Sequence, residues 1–164
     1  MRESDLNAIL LGGFIAGTID IAAAALINMI SPIIILRFIA GGLLGKSALS
    51  GGTGVALLGL GLQWAMSLII AAIYVLASRW LPILRRRWIA GGLAYGLVIF
   101  FVMNYVVLPL SAWARWPGFT VAKFAENLVA MLLFGLIVTF FVRQSASDAE
   151  LSPAASQPGG QRFE

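Results

Sequence analysis

The chain has 164 residues, of which 60% are apolar and 11% charged, and its formal net charge is +4. Soluble domains carry about 25% charged residues, and a soluble fold of this length has too little interior to hide so much apolar surface. The chain contains no cysteine and no histidine, which excludes disulfides, thiolate metal sites and histidine-ligated haem or zinc. The composition therefore predicts a helical membrane domain without a cofactor.

Four apolar runs are each long enough to cross a bilayer, which takes about 20 helical residues. None of them alternates with period two, as the strands of a membrane β-barrel do. The predicted fold is an all-α membrane domain over residues 1–142 with four transmembrane helices. The predicted spans cover about residues 6–30, 55–77, 88–110 and 120–142.

Another apolar stretch follows the first span but is too short to cross. Ser31 suits the cap of a helix and Pro32 its first turn, so we expect an interfacial or re-entrant helix over residues 32–44. From residue 143 onward the chain is rich in Ser, Ala, Gln, Pro and Gly. This composition predicts a disordered cytoplasmic tail over residues 143–164.

Basic residues are unevenly distributed about the predicted spans, with seven of the eleven Lys and Arg on the side of both termini. The positive-inside rule places that side in the cytoplasm. The strongest local signal is the connection between spans two and three, whose arginines also suit anionic lipid head groups. These residues are Arg79, Arg85, Arg86 and Arg87.

The most informative single residue is Asp20, near the middle of the first span. An ionised carboxylate inside a membrane is costly unless it is paired, solvated or protonated, and it usually marks a functional site. Other deep polar residues fall at related depths, so we expect a polar cluster in the outer half of the bundle. Its candidate members are Asp20, Asn28, Gln63, Ser67, Asn104, Glu126 and Asn127.

Two interpretations of this cluster stay open. In one, it is an outward-facing cavity that binds a cation, a proton or a polar head group. In the other, it is a hydrogen-bond network that fixes helix register, with each bond contributing about 0.6–2 kcal/mol. Lys123 and Glu126 stand three residues apart and can also pair on one helix surface.

Small residues at helical spacing predict close contacts between helices. Gly13 and Gly17 form a GxxxG pair on the side of the first span that carries Asp20. Similar stripes occur on spans two and three, and together they offer more close-packing surface than one small bundle obviously needs. The predicted packing residues are Gly13, Gly17, Ala24, Gly59, Gly92 and Gly96.

The sequence contains no arrangement of residues that indicates an enzyme. The segment from Gly41 to Ser47 imitates a phosphate-binding loop, but Ala40 stands where the motif requires its first glycine. No GxSxG or HExxH motif occurs. We therefore expect a non-catalytic protein.

Three segments resemble a family of small bacterial inner-membrane proteins of unknown function, the broad YagU-like group. They are Ile39–Gly45, Ala77–Pro82 and Tyr95–Ser111, and the resemblance covers about residues 12–111. Members of the group often carry histidine where this chain has Gln63. The resemblance implies a four-span protein of the bacterial inner membrane, and it supplies no substrate or catalytic residue.

The leading functional hypothesis is an accessory or scaffolding subunit that uses its glycine-lined faces to bind other membrane subunits or a second copy. The first alternative is a small oligomeric transporter or channel that uses the cluster around Asp20. The second is the binding of a lipid or another hydrophobic ligand. Membrane lipids are expected partners in every case, and nucleic acid is not.

Overall fold

All elements in the part of the chain that the computed structural model describes, residues 3–81, 83–114, 116–118 and 120–151, are helical. Large apolar side chains on their outer faces, among them Leu57, Ile69 and Val129, are more than half exposed. So many exposed apolar side chains are typical of a surface that faces lipid. The helices are α1 Glu3–Asn28, α2 Pro32–Leu44, α3 Thr53–Trp80, α4 Ile83–Arg86, α5 Trp88–Val102, α6 Leu108–Leu110 and α7 Val121–Leu151, with a 3₁₀ segment at Gly45–Ser50 and a π-helical turn at Met103–Val107.

Five helical segments are long and apolar enough to cross a membrane. Four of them match the predicted spans, and the fifth is Pro32–Ser50, where the 3₁₀ segment continues the apolar stretch beyond α2. The prediction of exactly four is therefore not confirmed by length and composition. The five segments are Asp5–Asn28, Pro32–Ser50, Thr53–Trp80, Trp88–Leu110 and Val121–Ser145.

The predicted start of α2 is confirmed. The Ser31 hydroxyl accepts a hydrogen bond from the Ile33 amide at 3.3 Å, and Pro32 occupies the first turn. The helix ends at Gly45, whose φ of 71° is readily reached only by glycine. At about 1.5 Å per residue, the 13 residues of α2 span about 20 Å, less than the hydrocarbon thickness of about 30 Å.

The helices α1 and α3 run antiparallel. Asp5 near the start of α1 contacts Arg79 near the end of α3, and Asp20 contacts Gln63 further along. Since the end of α1 and the start of α3 lie together, the intervening α2 and 3₁₀ segment leaves and rejoins the bundle at one end. We call this the loop end and the opposite end, where Arg79 lies, the arginine end.

The helix α7 is antiparallel to both α1 and α5. Along α1, Gly12 packs against Phe141, while the Lys123 ammonium donates to the Ile27 carbonyl at 2.8 Å. Along α5, Gly92 packs against Leu136. The start of α7 therefore lies at the loop end.

The interior of the bundle is built from alanines, glycines and a few large side chains. Tyr74, Phe100 and Val138 are fully buried. The Tyr74 hydroxyl donates to the Leu84 carbonyl at 3.2 Å, and the Tyr95 hydroxyl donates to a carbonyl of α3 at 2.6 Å. Both phenols therefore fasten α3 to the segments that follow it.

The helix α7 extends beyond the predicted fourth span. It continues through residue 143 to Leu151, into the segment predicted as a tail. Ser, Ala, Asp and Glu extend a helix that the apolar span has already nucleated, because propagation costs far less than nucleation. Residues 152–164 lie outside the described part of the chain.

The contact between Gly59 and α2 yields a test of this packing. A Cβ added to Gly59 would overlap the carbonyl oxygen of Leu36, and a backbone atom cannot rotate away. We expect Gly59→Ala to lower the free energy of unfolding by about 1–3 kcal/mol, as overpacked sites do. Unfolding in detergent micelles, followed by circular dichroism, measures the change.

Gly61→Ala is the matched control for that measurement. A Cβ at Gly61 meets nothing within 4 Å, and alanine favours a helix over glycine by about 0.5–1 kcal/mol. The Gly61 variant should be as stable as the parent or slightly more so. Equal stability of the two variants would contradict the described α2–α3 contact.

Candidate functional site

The candidate site is centred on a hydrogen bond between α1 and α3. The Gln63 side-chain amide donates to a carboxylate oxygen of Asp20 at 2.8 Å. Arg79 pairs with Asp5 and Lys123 with Glu126, and no lysine or arginine of the described residues pairs with Asp20. Among those residues, the hydrogen-bond partner of the carboxylate is neutral.

Two glycines bring α1 close enough to α3 for this bond. A Cβ added to Gly13 would lie 3.1 Å from Cα of Leu68, and one added to Gly17 would lie 2.5 Å from Oγ of Ser67. Ser67 is buried in this contact. The predicted GxxxG contact is thus made with α3 of the same chain.

A small cavity borders Asp20 between α1, α3, α5 and α7. We call it the Asp20 cavity, and its volume is about 20 Å³. Space for a single water requires about 10–15 Å³ on this measure, so the cavity holds a group of about that size. Three lining residues are polar and the others apolar: Asp20, Gln63 and Ser67, with Met66, Ile70, Ile99, Met103, Met131 and Phe134.

A larger apolar crevice lies beside this cavity, toward the loop end. Its volume is about 160 Å³, it is open to the surface, and it is lined by residues of α2, α3, the π-helical turn, α6 and the segment that follows α6. Gln63, Met66 and Met103 line both spaces and form the dividing wall. The crevice is otherwise lined by Phe38, Ile39, Gly42, Val107, Leu108, Ser111 and Trp113.

Trp113 holds α2 over the crevice. Its ring stacks on Phe38 with centroids 4.5 Å apart, and its indole N–H donates to the Phe38 carbonyl at 3.0 Å. The neighbouring Ala112 amide donates to the Gly42 carbonyl at 2.8 Å. Together these contacts attach the chain after α6 to the second half of α2.

The π-helical turn has an identifiable cause. Pro109 has no N–H to donate and its ring crowds the carbonyl four residues earlier. The chain widens just before it, and the Leu108 amide bonds to the Met103 carbonyl five residues back. Such turns interrupt the regular ladder and occur often at functional sites. Here the turn carries Met103 of the dividing wall.

A second polar pair joins α7 to the π-helical turn. The Asn104 side-chain amide donates to the Asn127 side-chain oxygen at 3.1 Å and to the Phe100 carbonyl at 2.9 Å. Asn104 is buried. No hydrogen bond among the described residues links this pair to Asp20. The pair has the features of an interhelical contact that fixes register.

The other two members of the predicted cluster lie apart from the Asp20 cavity. Asn28 is exposed and donates to the Ala24 carbonyl of its own helix at 2.8 Å. Glu126 lies 3.0 Å from the Lys123 ammonium. The structure thus brings Asp20, Gln63 and Ser67 together and separates them from the remaining four.

The glycines predicted to pack helices do so within the chain. Gly92 and Gly96 of α5 lie against the backbone of α7, where a Cβ would come within 3.1 Å of Leu136 Cα and 2.8 Å of Leu132 Cα. Gly13, Gly17 and Gly59 contact α3 or α2, as described above. Ala24 is only partly buried. The predicted packing glycines therefore contact helices of the same chain.

The arginines of the second connection lie at the arginine end. Arg79 pairs with Asp5 at 2.5 Å, and Arg86 and Arg87 are exposed. The side chain of Arg85 lies outside the described part of the chain. The Arg143 guanidinium stacks 5.4 Å above the centre of the Trp88 ring, which adds a basic group at the same end.

Sequence reasoning missed the crevice because most of its residues are apolar and all are scattered between positions 38 and 113. No sequence pattern indicated that Met66, Met103 and Trp113 line a common crevice. Pro109 was a usable signal, since a proline inside an apolar span predicts a local break. Comparisons with protein-family models, with curated proteins and with solved structures found no match to this chain.

Proposed function

We propose that this protein is a small membrane transporter that binds a positively charged solute at Asp20. The observation that carries the proposal is a carboxylate inside a lipid-facing bundle whose hydrogen-bond partner, Gln63, is neutral. A cation that enters the Asp20 cavity supplies the missing charge. The Asp20 carboxylate is the anionic group available to it, and Ser67 also lines the cavity.

The free energies of membrane insertion and of hydrogen bonding favour a functional role for Asp20 over a structural one. An aspartate at the centre of a membrane helix costs about 2.5–3.5 kcal/mol to insert. One hydrogen bond between membrane helices contributes about 0.6–2 kcal/mol. The Gln63 bond therefore offsets only part of the cost, and an apolar residue at position 20 would give a more stable bundle.

The structure gives the accessory-subunit hypothesis less support than the sequence did. It depended on glycine surface beyond the needs of one bundle, and Gly13, Gly17, Gly59, Gly92 and Gly96 all contact helices of the same chain. The apolar crevice supports the hydrophobic-ligand hypothesis instead. Both the crevice and the Asp20 cavity favour the binding of a small molecule.

We also propose that α1, α3, α7 and the segment Trp88–Leu110 cross the membrane and that α2 is re-entrant. The antiparallel contact of α1 with α3 supports this arrangement, because it brings the two ends of the α2 segment to the loop end. With four crossings, both termini lie on the same side of the membrane. The arginines on that side favour its assignment to the cytoplasm.

Single cysteines test the re-entrant arrangement against five crossings, since the chain has no native cysteine. Met29→Cys precedes α2 and Lys46→Cys follows it. A membrane-impermeant maleimide should label both from the same side in intact cells. Arg86→Cys is the control and should react only after permeabilisation. Labelling of positions 29 and 46 from opposite sides would establish that α2 crosses.

Charge movement in proteoliposomes tests transport at Asp20. Methylammonium is the probe, because it is a small monovalent cation. Its addition should produce a current on a solid-supported membrane in the wild-type protein, and Asp20→Asn should reduce this current to the level of protein-free liposomes.

Glu3→Gln is the matched control for that experiment, because it removes an exposed carboxylate from the same helix. Its current should equal that of the wild type. A current that survives Asp20→Asn, or a wild-type current no larger than the background, would contradict the proposed transport.

A further inference from the structure

We propose that the solute is a primary ammonium attached to one ring-sized apolar group, with the ammonium in the Asp20 cavity and the apolar group in the crevice. This inference rests on the proposed role of Asp20 as the charged group of the site. It adds the chemical class of the solute. The two spaces on either side of the dividing wall carry the argument.

The crevice has the size and lining of a site for one small ring. Its 160 Å³ is close to an engineered protein cavity of about 150 Å³ that binds benzene. Phe38 and Trp113 supply aromatic surface, and Met66 and Met103 supply flexible thioethers that adapt to a ligand.

The Asp20 cavity suits an ammonium group. Its 20 Å³ accommodates a group about the size of one water, and a primary ammonium is of that size. An –NH₃⁺ group has three N–H donors, and Asp20, Gln63 and Ser67 are the polar residues that line the cavity. A trimethylammonium group is larger than the cavity and donates no hydrogen bond.

The two spaces share the side chains of the dividing wall. Gln63 lines the crevice and donates to Asp20 at 2.8 Å, so a single side chain separates the crevice from the carboxylate. Met66 and Met103 complete the wall, and each has a long unbranched side chain with several rotamers. We expect rotation of these side chains to open a path between the two spaces.

Benzylammonium is the probe that matches both spaces. We expect it to bind the wild-type protein in nanodiscs, as measured by isothermal titration calorimetry against empty nanodiscs. Benzyl alcohol lacks the charge and benzyltrimethylammonium lacks the N–H donors, so each should bind about tenfold more weakly or not at all. Asp20→Asn should weaken benzylammonium binding to the same degree, as loss of a buried charge partner does.

A substitution in the crevice tests the apolar half separately. Gly42 lines the crevice, and a Cβ there meets only Ser111 Cβ, at 3.9 Å, so Gly42→Leu fills the space without moving the backbone. This variant should lose benzylammonium binding. Gly61→Leu is the matched control, since position 61 is exposed with nothing within 4 Å, and it should keep the binding.

The outcomes separate this inference from the proposed function. An Asp20-dependent methylammonium current without benzylammonium binding overturns the inference and leaves the transport proposal standing. Benzyl alcohol that binds as tightly as benzylammonium, or binding that survives Gly42→Leu, also overturns it. Absence of both the current and the binding overturns the two proposals together.

Discussion

A carboxylate inside a hydrocarbon layer needs a polar neighbour, and the contact between Asp20 and Gln63 provides one. The bond requires α1 and α3 to approach closely, and Gly13 and Gly17 allow that approach. The same register pairs Asp5 with Arg79 at the arginine end. It also brings the end of α1 and the start of α3 together, which fixes where α2 enters and leaves the bundle.

The position of α2 then creates the apolar crevice. Because α2 returns to the loop end, its second half lies over α3 and the π-helical turn. Trp113 and Ala112 hold it there through Phe38 and Gly42. The interior thus contains a small space beside Asp20 and a larger apolar crevice, with Gln63 between them. A bundle with a straight α5 would place Met103 differently and change the dividing wall.

Much of the architecture followed from the sequence. Apolar runs of at least 20 residues gave the long helices, and Ser31 with Pro32 gave the start of α2. Helical spacing placed Gly13, Gly17 and Asp20 on one side of α1, and the predicted polar cluster included Asp20, Gln63 and Ser67, which lie together in the structure. Each of the helical features depends on the geometry of a single helix.

What the sequence did not predict depends on relations between helices. Depth along a span did not tell whether Asn28 and Glu126 point toward Asp20, and both have local partners instead. Nor did it tell that Asn104 and Asn127 form a pair of their own. The crevice requires the fold of α2 against Trp113, which no local pattern encodes.

Solid-state NMR in lipid bilayers tests the central contact most directly. The correlation to measure joins the side-chain nitrogen of Gln63 to the carboxyl carbon of Asp20. We predict this correlation in the wild-type protein and its loss in Gln63→Leu. A carboxyl carbon of Asp20 that correlates with lipid chains and not with Gln63 would contradict the account, because Asp20 would then face outward.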